Sequence, residues 1–309
     1  MPQLSVVIAY FRSQATLALQ LDALACQITD RSYDVIVADN EGSEELKTIV
    51  SGYRDRLDIR IVDASDVPGR SHASNAGARV ATSPYLALCD SDDVVSPTWV
   101  EAMCATLDTG DVLATGPLRL DRLNPPYVWR TYLSSGASVD PVDDQSAMLG
   151  TIRLFDYLPF VFGCNLGVRR STYFAVGEMD ESQLSGSEDV EFSWRAQEAG
   201  YQIAYNPDAI VDYRLRSNTR QVFAQRRSYS RSQLRLWRLS VILGRPVRGM
   251  SMRWAVSSTA KLPFEYLRVR RQTIAHRYAF AYRAGAIVGN LEGQLRERVF
   301  SLRFSGAVA

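Results

Sequence analysis

The stretch YLALCDSDDVVSP, residues 85–97, sets an apolar run against Asp90, Asp92 and Asp93. Tyr85 to Cys89 has the length and composition of a short buried strand, and the three carboxylates come straight off its end. Carboxylates this close raise one another's pKa unless a positive charge sits between them. The strand pattern repeats upstream. LSVVIA (4–9), YDVIVAD (33–39) and DIRIVDA (58–64) read as strands. Each is followed by helical spacing: Arg12 to Cys26, SEELKTIVSGY (43–53) and, after the turn PGRS (68–71), a helix through SNAGARVA. Ser96-Pro97 reads as the cap and first position of a further helix, and DVLATGPL (111–118) as a fifth strand. Strands alternating with helices predict parallel β-α-β units, and their all-apolar runs predict a sheet covered on both faces. In such sheets ligands bind outside the carboxyl ends of the strands, where Asp39 and the Asp90–Asp93 cluster fall.

The 309 residues, 46% hydrophobic and 22% charged, suit one large domain or one domain with an appendage. The formal net charge of +1 conceals an asymmetry. Residues 1–213 hold 15 Lys+Arg and 31 Asp+Glu, whereas residues 214–309 hold 20 and 3. Two segments with different surroundings are expected, with a break near Tyr213-Arg214. Cys26, Cys89, Cys104 and Cys164 show no C-x-x-C spacing and read as reduced, mostly buried thiols of a cytosolic chain. The opening apolar stretch is too short for a signal peptide, and no run reaches the roughly 18 apolar residues of a membrane span. His72 and His276, the two histidines, are too far apart in sequence to suggest a zinc site.

Residues 119–150 read as an irregular loop, in which Trp129 and Tyr132 could stack on a sugar or anchor the loop. FVFGCNLGVRR (160–170) reads as a strand entering a helix, and SEDVEFSWRAQEAG (187–200) as a helix ended by glycine. YQIAYNPDAIVDYRLR (201–216) reads as two short extended segments. In the helical tail, Val222, Tyr229, Leu236 and Leu243 share one face, while Arg220, Arg227, Arg231 and Arg238 lie on roughly the opposite one. Val288, Leu291, Leu295, Val299 and Leu302 make another apolar stripe.

A lone aspartate after a strand is ordinarily a solvated cap, but three together point to a bound cation. A calcium loop fits Asp90, Asp92 and Glu101 as its first, third and twelfth positions but puts Val95 where glycine must turn. Asp90 to Val94 is also similar to the nucleophile motif of haloacid-dehalogenase-type phosphatases. Those enzymes need a downstream lysine followed by an acidic pair, and no such pair follows Lys261. The fourth reading is the D-x-D of nucleotide-sugar-dependent glycosyltransferases, in which strand-end carboxylates hold a hard divalent cation against a diphosphate.

The neighbouring segments, taken in order, resemble family 2 glycosyltransferases of the GT-A fold from about Leu4 to Arg216. SVVIAYFRS resembles the family's first strand, and VIVADNEGS (35–43) its second, whose aspartate faces the nucleotide base. GRSHASNAGARVA (69–81) resembles the G-x-S-x-A-R-N-x-G segment beside the nucleotide. LALCDSDDVVSPTW (86–99) matches the metal-binding motif, and FGCNLGVRRSTYFAVGEMDE (162–181) resembles the acceptor-side segment. SGSEDVEFSWRAQEAGY (185–201) matches the E-D motif, whose aspartate is the family's usual general base. Ser74 replaces the motif arginine, a role Arg70 could take over, and Gly177-Glu178-Met179-Asp180-Glu181 departs from G-G-F-D-E. Asp212 stands where many relatives place a histidine that can approach the metal.

The resemblance implies a GT-A-like, Rossmann-like α/β domain over residues 1–214, with a central, mostly parallel sheet covered by helices. Its nucleotide-sugar half would span about 1–118 and its acceptor half about 151–214, followed by a basic helical C-terminal extension, 215–309. It implies a metal-dependent, inverting, hexosyltransferase-like enzyme that builds a cell-surface polysaccharide or glycolipid. Asp189 would be the general base, with Asp92, Asp90 and Asp212 on a manganese or magnesium ion. Asp39, Arg70, Asn75, Asp90 and Glu188 would bind substrate. Asp39 and the Glu188-Asp189-Glu191 trio also admit structural readings, as a turn residue and as helix-start acids. The alternative is a catalytically silent relative that binds nucleotide sugar or a partner protein. Expected partners are a nucleotide-sugar donor and a saccharide or lipid-linked acceptor, with no nucleic acid and with a homodimer open. The basic tail has three readings: an anionic membrane surface, which would place the enzyme on the cytoplasmic inner face, an acidic protein surface, or nucleic acid.

Overall fold

LSVVIAY forms β1 (Leu4–Tyr10), with Leu4, Val6, Val7 and Ile8 all buried. A strand buried on both faces needs helices on both sides of its sheet. The computed structural model describes residues 1–134, 148–150, 152–182, 186–249 and 251–305 and supplies that cover. After β1 come α1 (Gln14–Ala25), β2 (Tyr33–Asp39), α2 (Glu44–Ser51), β3 (Ile59–Asp63), α3 (Arg70–Val80) and β4 (Tyr85–Asp90). Then follow β5 (Val94–Val95), α4 (Trp99–Asp108), β6 (Val112–Thr115), β7 (Leu118–Arg119), α5 (Pro126–Ser134) and β8 (Met148–Leu149). The hairpin of β9 (Ile152–Arg153) and β10 (Pro159–Phe160) precedes β11 (Asn165–Arg169), α6 (Arg170–Ala175), α7 (Glu188–Glu198), β12 (Gln202–Tyr205) and β13 (Val211–Asp212). The chain ends in α8 (Thr219–Ile242), α9 (Met252–Val269) and α10 (Ile274–Ser305).

The main sheet has strand order β12-β6-β11-β4-β1-β2-β3. β4, β1, β2 and β3 are parallel, while β11 runs antiparallel between β4 and β6. The chain winds from β1 out to β3 and returns to place β4 on the other side of β1. The carboxyl ends of β1 and β4 are therefore the switch point where connections leave in opposite directions and a crevice opens. Close helix–sheet packing depends on Gly77 in mid-α3, where a Cβ would run into Val7 Cγ1. A smaller sheet, β5-β13-β7-β8, flanks the same end.

Several boundaries differ from the sequence reading. α4 starts at Trp99, not at Pro97, because Ser96 Oγ donates to the Asp208 carbonyl instead of capping the helix. Residues 119–134 are not irregular: β7 is followed by α5, which begins on Pro126. Residues 135–147 lie outside the described residues. All four cysteines are free, and Cys89, Cys104 and Cys164 are buried. No described helix is long and apolar enough to cross a membrane.

The tail packs back onto the sheet domain. Gly285, Gly289 and Gly293 recur every four residues along α10 and form a stripe against α8. A Cβ on Gly285 or Gly289 would meet the carbonyl oxygens of Phe223 or Arg227, so the two helices cross almost backbone to backbone. Arg227 and Arg231, part of the arginine face expected in α8, pair with Glu292 of α10. Tyr278 and Tyr282 of α10 pack edge-on against Tyr127 and Tyr132 of α5.

Candidate active site

At the switch point lies a cleft of about 700 Å³, lined by the turn after β1 and the first residues of α1 (Phe11 to Thr16), Asn40, Gly69, Arg70, Asp90, Asp92, Arg214 and Arg216. Its floor is built by Asn40, whose side chain accepts from Gly69 N at 2.7 Å and donates to Val67 O at 2.8 Å. Gly69 sits at φ +148, a conformation that side chains disfavour, and there the chain turns into α3. Asp39, expected to bind substrate, is buried behind the cleft wall and makes a structural contact there. Its carboxylate accepts the N–H groups of Glu41, Gly42 and Ser43 at 3.1, 3.1 and 2.7 Å and closes the turn into α2. Asn40 replaces it in the cleft wall.

The aspartates at the end of β4 meet cations, and these are arginines. Arg70 Nε and Nη2 donate to Asp90 Oδ1 at 2.9 and 2.7 Å, and Arg70 Nη1 donates to Glu188 Oε1 at 3.0 Å. Arg216 Nη1 donates to Asp92 Oδ2 at 2.8 Å. Arg214 donates its Nε to Asp92 O and its backbone N–H to Asp93 Oδ1, both at 2.7 Å. Sequence reading put a domain break at Tyr213-Arg214; in the fold this segment crosses back over the aspartates and closes one side of the cleft. Burial, then the Asp90 charge, raises the Asp92 pKa, and Arg216 opposes the rise. Asp93 is buried and pushed well above the usual carboxylate range by burial and its two neighbours, and its Oδ2 has no partner among the described residues.

Asp90, Asp93 and Cys164 bring ligand-type atoms within 4.8 Å of one another. Carboxylate oxygens suit a magnesium- or manganese-type cation, and the orphaned Asp93 oxygen has the valence to accept one. The Cys164 thiol does not suit such an ion, since burial holds its pKa well above the ordinary value. Asp212, expected near the same cation, is not part of this group. Its buried carboxylate pairs with Arg119 and, at 3.3 Å, with Arg122, neutralising β13 inside the smaller sheet. Asp93, counted in the sequence as part of the aspartate cluster but not assigned to the metal, stands beside Asp90 instead.

A second chamber of about 340 Å³ adjoins the cleft, sharing Arg70 and Asp90 with it. Glu188 and Asp189 line it from the first turn of α7. Asp189 Oδ2 accepts Gly163 N at 3.1 Å, and its Oδ1 accepts Val190 N at 2.9 Å. Gly163 matters twice, because a Cβ there would strike the Arg70 guanidinium. Burial raises the Asp189 pKa against the pull of Arg70, and burial with the adjacent Asp189 lifts Glu188 to about 7. The opposite wall comes from Tyr132 of α5, Arg226, Tyr229 and Gln233 of α8, and Tyr282 of α10. The tail thus completes the chamber, a role its charge pattern did not announce. Of the two aromatics singled out in the sequence, Tyr132 reaches the chamber and Trp129 does not line it. Asn75 lies outside both cavities. Its side chain is buried between Tyr173 Oη, Met179 N and O, and Glu181, tying α3 to the turn before α7.

The glycosyl transferase family 2 model matches residues 5–174, more than half of the chain. The chain belongs to this family. Among its relatives, the chondroitin synthase of Pasteurella multocida (strain Pm70) is 27% identical over 217 residues, 62% of this chain and 22% of that protein. The validoxylamine A glucosyltransferase of Streptomyces hygroscopicus subsp. limoneus is 36% identical over 106 residues, 34% of this chain and 23% of that one. The chain therefore spans less than a quarter of either relative's length. A Pyrobaculum calidifontis mannosyltransferase in complex with GDP-Man and Mn2+ is similar in structure, with TM-score 0.57 and 14% identity over 99% of this chain and 80% of that one. S. aureus TarS 1-349 in complex with UDP-GlcNAc gives 0.52 and 13%, covering 96% and 91%. These likenesses establish a GT-A-type fold. The family match over residues 5–174 and these folds agree, and in this chain Arg70 and Asp90 join the two cavities.

Proposed function

We propose that the chain transfers a sugar from a nucleoside-diphosphate sugar in the larger cleft to an acceptor hydroxyl in the smaller chamber, inverting the anomeric carbon. The observation that carries this reading is the junction. Arg70 and Asp90 border both cavities, so a donor whose diphosphate lay by Asp90 would present its anomeric carbon toward Asp189. Asp189 is the general base: a carboxylate raised by burial binds a proton more readily, which suits taking one from a hydroxyl. The new bond forms from the acceptor oxygen to the anomeric carbon as the bond to the diphosphate breaks on the opposite face. Asp90 and Asp92, with Asp93 behind them, would hold a magnesium or manganese ion. When bound, such an ion neutralises the charge that gathers on the leaving diphosphate. Arg70 and Arg216 add fixed positive charge to the same place and hold the aspartates in position. The acceptor we assign is a saccharide or glycolipid, stacked between the aromatic residues of α5, α8 and α10.

The test is release of nucleoside diphosphate from UDP-, GDP- and dTDP-sugars in the presence of manganese and a panel of mono- and disaccharide acceptors. One donor should turn over, and Asp189→Asn should cut the rate by about 10²–10⁴-fold without weakening donor binding. Donor binding with no turnover on any acceptor, in wild type and variant alike, would make the chain a silent relative. Full activity in Asp189→Asn would remove the base assignment.

A further inference from the structure

The outermost helix of the tail carries an unpartnered face with a definite chemistry. α9 packs chiefly on α10, and its less exposed side carries buried Ala255 with half-buried Leu262 and Val269. On its outer side Val256, Phe264 and Leu267 are 52%, 70% and 57% exposed. At 3.6 residues per turn these three fall within about 80° of one another, a continuous apolar stripe. Lys261 and Arg268, both exposed, occupy the adjoining sector, which exposed Trp254 borders, while exposed Arg253 lies at the amino-terminal end of the stripe itself. Between Ser251 and Phe280 the one acidic residue is Glu265, half-buried and paired with Arg283 at 3.2 Å. Among the described residues, Arg253, Lys261 and Arg268 are in no ion pair.

Exposed Phe and Leu on a soluble surface are unfavourable unless something apolar covers them. The cover must also accept a row of cations. An isologous contact between two copies would bring the basic sectors together. A lipid surface with anionic headgroups satisfies both needs at once. The helix is long enough to lie in the headgroup plane and too polar to cross. We infer that α9 docks on an anionic bilayer, with Val256, Phe264 and Leu267 entering the boundary between headgroups and acyl chains and Arg253, Lys261 and Arg268 on the lipid phosphates. The contact differs from the arginine face of α8, whose Arg227 and Arg231 are engaged with Glu292. It does not depend on the proposed reaction.

The experiment is flotation of the full chain with phosphatidylcholine vesicles, with and without phosphatidylglycerol, at low and high salt. Wild type should float with the phosphatidylglycerol vesicles alone and be released by salt. The double variant Phe264→Ser/Leu267→Ser should lose at least tenfold in partitioning, since two large side chains leave the lipid. Lys261→Gln and Arg268→Gln should each lose about fivefold, the effect of one basic residue at an anionic surface. All four side chains are exposed, so unfolding midpoints should match wild type. Wild type that stays unbound, or that floats equally on neutral vesicles, overturns the inference, as do variants that float undiminished. A dimer in light scattering that Phe264→Ser/Leu267→Ser dissolves, without vesicle binding, assigns the face to a second copy instead.

Discussion

Replacing Glu188 by glutamine should make the protein more stable at alkaline pH, although it removes one partner of a buried salt bridge. Glu188 is 5% exposed, its Oε2 has no partner among the described residues, and its Oε1 accepts one bond from Arg70 at 3.0 Å. Burial and the neighbouring Asp189 outweigh Arg70 and lift its pKa from 4.5 to about 7. A carboxyl raised in the folded state binds its proton more tightly there than in the unfolded chain. Its contribution is therefore fully present below 4.5 and is lost as pH rises through about 7. That interval corresponds to about 3 kcal/mol. Glutamine cannot ionise, keeps an oxygen for Arg70 and offers an N–H where the carboxylate oxygen was orphaned. Urea unfolding of wild type and Glu188→Gln at about pH 5 and pH 8.5 isolates this group from every other titration. The stability difference between the two proteins should swing by up to about 3 kcal/mol toward the variant on going alkaline, an urea-midpoint change of about 1 M. Relief of Asp189 from its neighbour's charge adds in the same direction. A variant destabilised equally at both pH values would refute the reasoning, because it would mean that Glu188 is ionised at no cost beside Arg70.

Gly289→Ala should destabilise the chain by about 1–3 kcal/mol through the clash with the Arg227 carbonyl, whereas Gly249→Ala, which meets nothing within 4 Å, should stay within about 0.5 kcal/mol; denaturant midpoints decide. Asn75→Ala should cost about 1–3 kcal/mol by stranding the Tyr173 hydroxyl and Met179 amide, and should leave donor-induced thermal shifts unchanged; weakened donor binding in a fully stable variant would restore the substrate-binding role. His72 lies between Glu181 at 2.9 Å and Asp66 at 2.8 Å, and the hydrogen bond to Glu181 leads in raising its pKa. Its stabilising effect should be complete below 6.5 and fade as pH rises through the raised value, which an NMR titration of the ring should place above 6.5.

The strands, their parallel order and the position of the Asp90–Asp93 cluster were legible because their signals are local: short all-apolar runs ending in polar turns. Side-chain direction is not local, and the sequence did not show these structural partners. Asp39 and Asn75 stand in nucleotide-side segments, yet three turn N–H groups occupy the one and a buried clamp occupies the other. Arg216 lies 124 residues from the aspartate it neutralises, a separation no periodicity can express. α5 was hidden by the irregular look of Asn-Pro-Pro, although proline at a first helical position is itself a start signal. The glycines of α10 recur every four residues, the spacing of one helix face, and could have revealed the close crossing that brings Arg226 and Tyr229 to the site.

The most direct test of the central claim, that the crevice between β1 and β4 binds a nucleoside-diphosphate sugar, is thermal unfolding against UDP-, GDP- and dTDP-sugars with and without manganese, in wild type and Asp92→Asn. Ligand held at about 100 times its Kd should stabilise the fold by about 2.7 kcal/mol, which shows as a clear rise in midpoint. The account predicts that rise for one nucleotide class, dependent on manganese and lost in Asp92→Asn. A rise that persists in the variant, or none with any donor, would contradict it.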